Sequence, residues 1–593
     1  MMKKILFFLL LFKNSYSQHL EWAKTIKASE YSESNVVAHR IDKDKNHYIM
    51  TAINGKVNFD LNNINPFWVN SIEKNNYTIV LAKYDSLQNL LWSRSFKTNL
   101  QISIPVSYWG FDIDNSNNLY LFGTYKDSII TKNNDSSIIK IESKGNQDFF
   151  VMKMDEYGNA NWIKNFGNKS SDVCRQIKTY ENDIYIGGYI GDSFNIKIKD
   201  SIIYYSPAIK NQQDLFIAKL NTKGDLYWFN HIKQSSNLIS FNDIYINKNG
   251  LMVLIGGTNS RIEVDVDDTA YSETIGYMEE GNVLIDMTLD GKFKKINVFR
   301  SPFKSNEKFL NRIFHKIVVD SSENIYLGGL FLRKGTIKIG SSTNFNSNPG
   351  VILLKMDTFG NMLWNKNYIG APLFFYSLES LSLNIHNEKL YLSGDFKDSI
   401  SFPTLNYSFV LKSKNYNNTF LSIHDLEGNF LSAFSPKSND FTRNVGLNVK
   451  TKDNKIYWVG DYIDSTDFDA TLVSTYLESN KSRSTFLCKY NLTLLPLDSI
   501  EKEEDNSSIN EQNKSKIKLF PNPTIDFLNI ELSAIPNFLS IKVLDVIGNE
   551  IITQEFQKQK VIKVDLSTIP KGIYLFKVVI DHSQNQYFKI IKE

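Results

Sequence analysis

The stretch KMDEYGNANW at 153–162 returns as KLNTKGDLYW at 219–228 and KMDTFGNMLW at 355–364, and as KYDSLQNLLW at 83–92, which keeps the frame without the glycine. In each copy nine positions separate the Lys from the Trp. Weaker copies are LIDMTLDGKFKK (284–295), SIHDLEGNFLS (422–432) and a truncated FLCKYNLTL (486–494). A second phrase alternates with the first: NLYLFGTY (118–125), DIYIGGYI (183–190), MVLIGGTN (252–259), NIYLGGLF (324–331), KLYLSGDF (389–396) and KIYWVGDY (455–462), with HYIMTA (47–52) as a degenerate first copy. The Tyr frame falls at 48, 120, 185, 254, 326, 391 and 457, and the Trp frame at 22, 92, 162, 228, 295, 364 and 432, with Lys295 and Ser432 replacing Trp in two copies. Three markers share one period of 65 to 72 residues, so the chain is a repeat array.

Each unit resolves into four short strands. Strand A ends near an Asp or Asn, as in GFDIDN or KIVVDS. Strand B carries Tyr-x-x-Gly, strand C carries the Lys, and a D-x-x-G turn leads into strand D with the Trp. Gly158, Gly224, Gly291, Gly360 and Gly428 stand where that hairpin needs a positive φ. The repeated phrase is thus a C–D hairpin, and its Trp is expected to pack between units. Four-stranded units at constant period predict an all-β, seven-bladed β-propeller over 18–497. The array opens on a lone strand D, HLEWAKTI (19–26), and closes on a lone strand C, STFLCKYNL (484–492), so the ring is expected to close by pairing its N- and C-terminal strands. The motif D-x-F-V-x-K-M-D-x-x-G-N-x-x-W also resembles the SBBP-type β-propeller repeats of secreted bacterial proteins. That resemblance speaks for fold, because its residues are scaffold.

The 593 residues are 42% hydrophobic, 22% charged and 13% aromatic, ordinary for a globular protein and generous in the residues that favour strands. A net charge of +3 without a basic block argues against a nucleic-acid partner. The N-terminus reads MMKK, then ILFFLLLF, then KNSYSQ, with Ser15 and Ser17 forming a small-x-small site. A signal peptide over 1–17 is expected, cleaved before Gln18. Its apolar run is far short of the ~20 residues that span a bilayer, and no other segment is long enough, so no span is expected in the mature protein.

After Leu497 the composition changes. The stretch 498–516 is polar and charged and reads as a linker. Residues 517–593 alternate apolar and polar positions between PNP, IGN and PKG turns, which predicts about seven short strands in a small β-sandwich. Leu519-Phe520-Pro521-Asn522-Pro523, the central Asp545-Val546-Ile547-Gly548, and the closing Pro570-Lys571-Gly572-Ile573-Tyr574 resemble the type A C-terminal sorting domain of proteins exported by the type IX secretion system of Bacteroidota. The resemblance implies Pro521, Asn522, Pro523, Gly548, Gly572 and Tyr574 as motif positions and the secretion machinery as a partner. It implies a secreted or outer-membrane-surface location.

Catalytic motifs such as G-x-S-x-G, H-E-x-x-H, a P-loop or G-x-G-x-x-G are absent from the sequence. His39, His315 and His386 fall near inner or turn positions without clustering. Asp-Ser follows the strand B glycine by four residues at Asp127, Asp192, Asp398 and Asp464, which reads as a turn device. Asp464, Asp467 and Asp469, and likewise Asp265, Asp267 and Asp268, are weak calcium candidates, since neither run follows an EF-hand spacing. No other cofactor is implied. The B–C connections are long, so one face is expected to be irregular and built for display. Tyr108, Trp109, Phe374, Phe375 and Tyr376 gather there as candidate ligand-binding residues. The expected function is recognition of an extracellular glycan or protein through that face. Two alternatives stay open: a secreted polysaccharide- or peptide-degrading enzyme with its site on the axis, and a structural cell-surface component. Cys174 and Cys488 fall three blades apart, so both thiols are expected free and buried.

Overall fold

The computed structural model describes residues 16–494 and 517–592, apart from internal stretches, the longest being 99–107, 303–312 and 372–380. Its named elements are all strands. The chain divides into two compact units, residues 1–470 with 474–497, and residues 498–593 with 471–473.

In the first unit one antiparallel pattern recurs, each strand pairing with the next. Set one is Glu33–Ile41, His47–Asn54, Thr78–Tyr84 and Leu90–Thr98. Set two is Trp109–Ile113, Leu119–Tyr125, Asp148–Met154 and Ala160–Phe166. Set three is Val173–Tyr180, Asp183–Ile190, Asp214–Asn221 and Leu226–Gln234. Set four is Ile239–Asn247, Gly250–Val266, Thr269–Met287 and Phe293–Pro302. Set five is Phe314–Val319, Ile325–Phe331, Gly350–Met356 and Met362–Ala371. Set six is Ser382–His386, Lys389–Pro403, Asn418–Asp425 and Phe430–Phe434. The last set takes Val445–Lys452, Lys455–Asp467 and Tyr476–Leu494 from one end of the unit and Tyr16–Ala28 from the other. There Trp22 faces Lys489, as Trp92 faces Lys83 within set one. Glu21 forms ion pairs with Lys455 and, at 2.8 Å, with Lys489. The first strand of each set lies beside the first strand of the next, and the first strand of the last set lies beside that of set one.

The repeated phrase acts between sets. The indole N–H of Trp92 donates to Glu156 O (3.0 Å), Trp162 to Thr222 O (2.9 Å), Trp228 to Leu289 O (3.2 Å) and Trp364 to Leu426 O (3.3 Å). Each acceptor lies in the C–D turn of the following set. The facing lysines reach the same carbonyls: Lys83 to Glu156 O (3.1 Å), Lys219 to Leu289 O (3.4 Å) and Lys355 to Leu426 O (3.1 Å). Where Lys295 replaces Trp, its ammonium donates to Thr358 O instead. The turn glycine serves the same contact: a Cβ on Gly224 (φ +80°) would lie 3.0 Å from the Trp162 ring. Hence the Lys, the Trp and the Gly share one period. They form a single clamp between neighbours.

Both short turns use one hydrogen-bond scheme. Asp42, Asp114 and Asp320 after first strands, and Asp85, Asp155, Asp357 and Asp425 after third strands, accept the amide four residues on; that residue is Asn, whose side-chain amide returns to the same carboxylate.

The long B–C connections are more regular than expected. Several contain a second hairpin, for example Ser128–Lys132 with Ile138–Glu142 and Gly335–Ile339 with Thr343–Ser347. These outer segments hydrogen-bond back to the strand D region of the preceding set, through Lys27↔Asn58, Ile129↔Thr98, Ile232↔Val264, Phe299↔Ile339, Ile369↔Ser401 and Lys437↔Asp467. The length of these connections serves backbone pairing between neighbours. The Asp-Ser positions mark the bend into them: Asp127, Asp398 and Asp464 have φ of 64°, 60° and 69°. Asp127 O accepts the Ser143 amide and Asp398 O the Ser413 amide, both at 2.8 Å. Asp192 lies outside the described residues.

The second unit has two sheets. Ile517–Phe520, Phe527–Leu532 and Val561–Asp565 form one. Glu550–Phe556, Leu539–Leu544, Gly572–Ile580 and Gln584–Lys592 form the other. One core joins them, with Leu528, Ile530 and Val564 packed with Ile541, Phe576 and Val578. These are the seven short strands the alternation predicts.

Cys174 and Cys488 are free and buried, and burial raises both thiols above their ordinary range. A maleimide reagent is therefore expected to label neither residue in the native chain at pH 7 and both after denaturation. Rapid native labelling of either would contradict the burial.

Candidate functional site

The innermost strands carry charges at one repeated place. Arg40, Asp112, Lys178, Asn384 and Lys450 stand opposite Tyr48, Tyr120, Tyr185, Tyr391 and Tyr457 of their own sets. Val318 takes the place opposite Tyr326, and Asp243 stands opposite Leu254 next to a bulge. Set five adds Lys316 two residues earlier. At these places four cations thus stand with two carboxylates, on strands that neighbour each other in a cycle.

The carboxylates are committed. Arg40 Nε donates to Asp112 Oδ1 (2.7 Å), and Asp112 Oδ2 accepts the Thr179 amide (2.9 Å) and hydroxyl (3.1 Å). Asp112 therefore joins sets one, two and three. Burial opposes its charge, but Arg40, Lys178 and the Thr179 amide outweigh burial and hold its pKa below the usual carboxylate range. Asp243 Oδ2 accepts the Ile317 amide (3.2 Å) from the next set. The amines differ. Lys178, Lys316 and Lys450 are half-buried and have no hydrogen bond or ion pair among the described residues. Burial, then the charges of Arg40 and Lys178, draw Lys450 down to about 7, against the pull of Asp112 and Asp243.

The expected ligand residues fare differently. Trp109 is 2% exposed. Its indole donates to Thr124 O (3.0 Å), and its ring packs against Phe96 and Phe150. It is core, held over Gly123, where a Cβ would come within 2.6 Å of the indole. This corrects the expectation that Trp109 anchors a ligand. Tyr108 is half-buried, with the Arg175 guanidinium 4.9 Å from its ring centroid. Phe374, Phe375 and Tyr376 lie outside the described residues.

Asp467 Oδ1 accepts the amides of Asp469 (3.1 Å) and Thr475 (2.8 Å), and the Asp464 amide donates to Ser479 Oγ (2.6 Å). These residues build a hairpin end, and among the described residues no group of three or more metal-ligating side chains assembles. Asp265 pairs with Ala270 on the neighbouring strand, while Asp267 and Asp268 lie outside the described residues. His39 stacks on His47 with Nε2 and Nδ1 3.1 Å apart, and burial lowers both, His47 to about 3. His315 and His386 belong to other sets. In the second unit, Tyr574 OH donates to Pro570 O (2.6 Å), closing the turn before its strand. Pro521 and Pro523 each stand in a bend, Gly572 begins its strand, and Asn522 and Gly548 lie outside the described residues.

Together the sheets define an all-β protein whose second unit is a compact two-sheet domain. That domain has a family. Residues 518–593 match the secretion system C-terminal sorting domain, so the tail read as a type IX sorting domain is one, and the protein is of the exported kind, secreted or at the cell surface. No curated protein matches the chain. Among solved structures, virginiamycin B lyase from Staphylococcus aureus is similar with a TM-score of 0.33 at 8% identity, over 80% of this chain and 99% of its own. Two extracellular domains of two-component systems from B. thetaiotaomicron have TM-scores of 0.21 and 0.20 at 10% and 9% identity, over 94% and 98% of this chain and 84% and 99% of theirs. No helix among the described residues is long and apolar enough to cross a membrane.

Proposed function

We propose that residues 18–497 form a seven-bladed propeller of the SBBP-repeat kind, closed by residues 18–28 of the strand Tyr16–Ala28 against Tyr476–Leu494, that serves extracellular recognition. In this reading 1–17 is a signal peptide, 498–516 a linker and 517–593 a type A sorting domain recognised by the type IX machinery. The observation that carries the recognition reading is the set of half-buried amines on the innermost strands, unpartnered among the described residues in a fold where Lys83, Lys219 and Lys355 are clamped to turn carbonyls. The site therefore moves from the long-loop face to the blade junctions around the axis. The ligand is an extracellular glycan or protein segment that offers groups to those amines. A glycan-array and peptide screen on the full chain tests this: binding without turnover is expected, and substrate cleavage would overturn it in favour of an enzyme.

The export half has its own test. Deleting 517–593 should leave a folded repeat unit in the periplasm, because that unit's strand pairing closes within residues 16–494. The truncated chain reaching the cell surface in normal amounts would remove the sorting role.

A further inference from the structure

We propose that the innermost strands bind a carboxylate group between Lys178 and Lys450; this rests on the recognition reading and names the chemistry of its site. The argument begins with what is fixed. Arg40, Asp112 and Thr179 form a hydrogen-bonded chain through three consecutive sets. Thr179 adjoins Lys178. On the other flank, Asn384 Nδ2 donates to the Thr451 hydroxyl (3.0 Å), and Thr451 adjoins Lys450. The backbone on which each amine stands is therefore pinned by its neighbours.

The amines themselves are not satisfied. Lys83, Lys219 and Lys355 each donate to a turn carbonyl. Lys178 and Lys450 have no such acceptor among the described residues, yet each is removed from bulk water on one side. Asp112 and Asp243 lie within electrostatic reach of Lys450. Both already accept backbone amides, and Asp112 also holds Arg40. Two half-buried amines on pinned strands, with no hydrogen-bonded acceptor of their own among the described residues, are a receptor short of counter-charge. Two nearby carboxylates already offset part of the positive field, so a singly charged group fits better than a dianion. A carboxylate comes from a uronic-acid glycan, a free organic acid or an acidic peptide, and the chemistry at the amines is the same.

Isothermal titration of the full chain tests the site with four probes: oligogalacturonate, acetate, a glutamate-rich peptide and inorganic phosphate. Saturable binding of at least one carboxylate probe is expected, weakened tenfold or more by Lys178→Met and by Lys450→Met, and unchanged by Lys223→Met on an exposed turn. The strongest of the three carboxylate probes identifies the source. Circular dichroism on each variant separates lost binding from lost folding. No binding by any carboxylate probe, equal binding by both Lys variants, or tighter binding of phosphate overturns the proposal. If the screen finds a ligand that ignores Lys178 and Lys450, the recognition reading survives and this assignment falls. If the screen finds turnover, both fall.

Discussion

Replacing Trp109 with Ala is expected to lower the unfolding free energy by about 3–5 kcal/mol, the usual cost of emptying a buried aromatic site. The residue is 2% exposed and its ring fills the space over Gly123. Phe96 comes from set one, Phe150 and Thr124 from set two, so the indole joins two sets. The Ala variant leaves a void between sheets that are held from both sides by strand pairing and cannot collapse into it. Trp109→Phe keeps most of the volume and should cost far less. Urea denaturation of the full chain, followed by circular dichroism, measures both. A loss below about 1 kcal/mol for the Ala variant would mean that the ring is not packed as described.

The same residue shows what the sequence could and could not reveal. The strand order was legible because Lys, Trp and Tyr-x-x-Gly repeat in step, and the Trp of each full copy of the phrase reaches the turn of the following set. Trp109 looked like display because it follows a long connection. Its burial was written elsewhere: Gly123 stands directly opposite it in the pairing, and a strand glycine facing a large ring is a sign of close packing. The B–C connections looked irregular because their hairpins are short and pair with another set, a contact that no local pattern encodes. The charged residues of the innermost strands were legible in principle. Arg40, Asp112, Lys178, Asn384 and Lys450 all fall opposite the repeated Tyr, so lining up the copies on that frame exposes them. They were missed because the residue there changes between Arg, Asp, Lys, Val and Asn from copy to copy, and repeat reading rewards sameness.

Replacing Lys450 with Met should make the protein more stable at neutral and lower pH. The folded-state amine titrates near 7, against ~10.4 for lysine in an unfolded chain. Between those values the unfolded chain binds more protons than the folded one, so Lys450 makes stability rise with pH across that window. Below pH 7 both states are protonated, and the penalty for holding the charge is constant and at its largest. The full shift sets an upper bound of roughly 4–5 kcal/mol. The amine is only half-buried, so a gain of about 1–3 kcal/mol at pH 6 is the expected size for Met, which keeps the stem and discards the charge. Urea midpoints at pH 6, 8 and 9.5 should show the variant ahead at pH 6, with the difference closing by pH 9.5. A variant that is less stable at pH 6 would mean the amine has a partner there, and the vacancy argued for it would not exist. A lysine that costs stability in a fold otherwise built from mutual clamps calls for a reason outside the fold. An incoming carboxylate supplies one, because it would restore the lost proton affinity of Lys450 at the moment of binding.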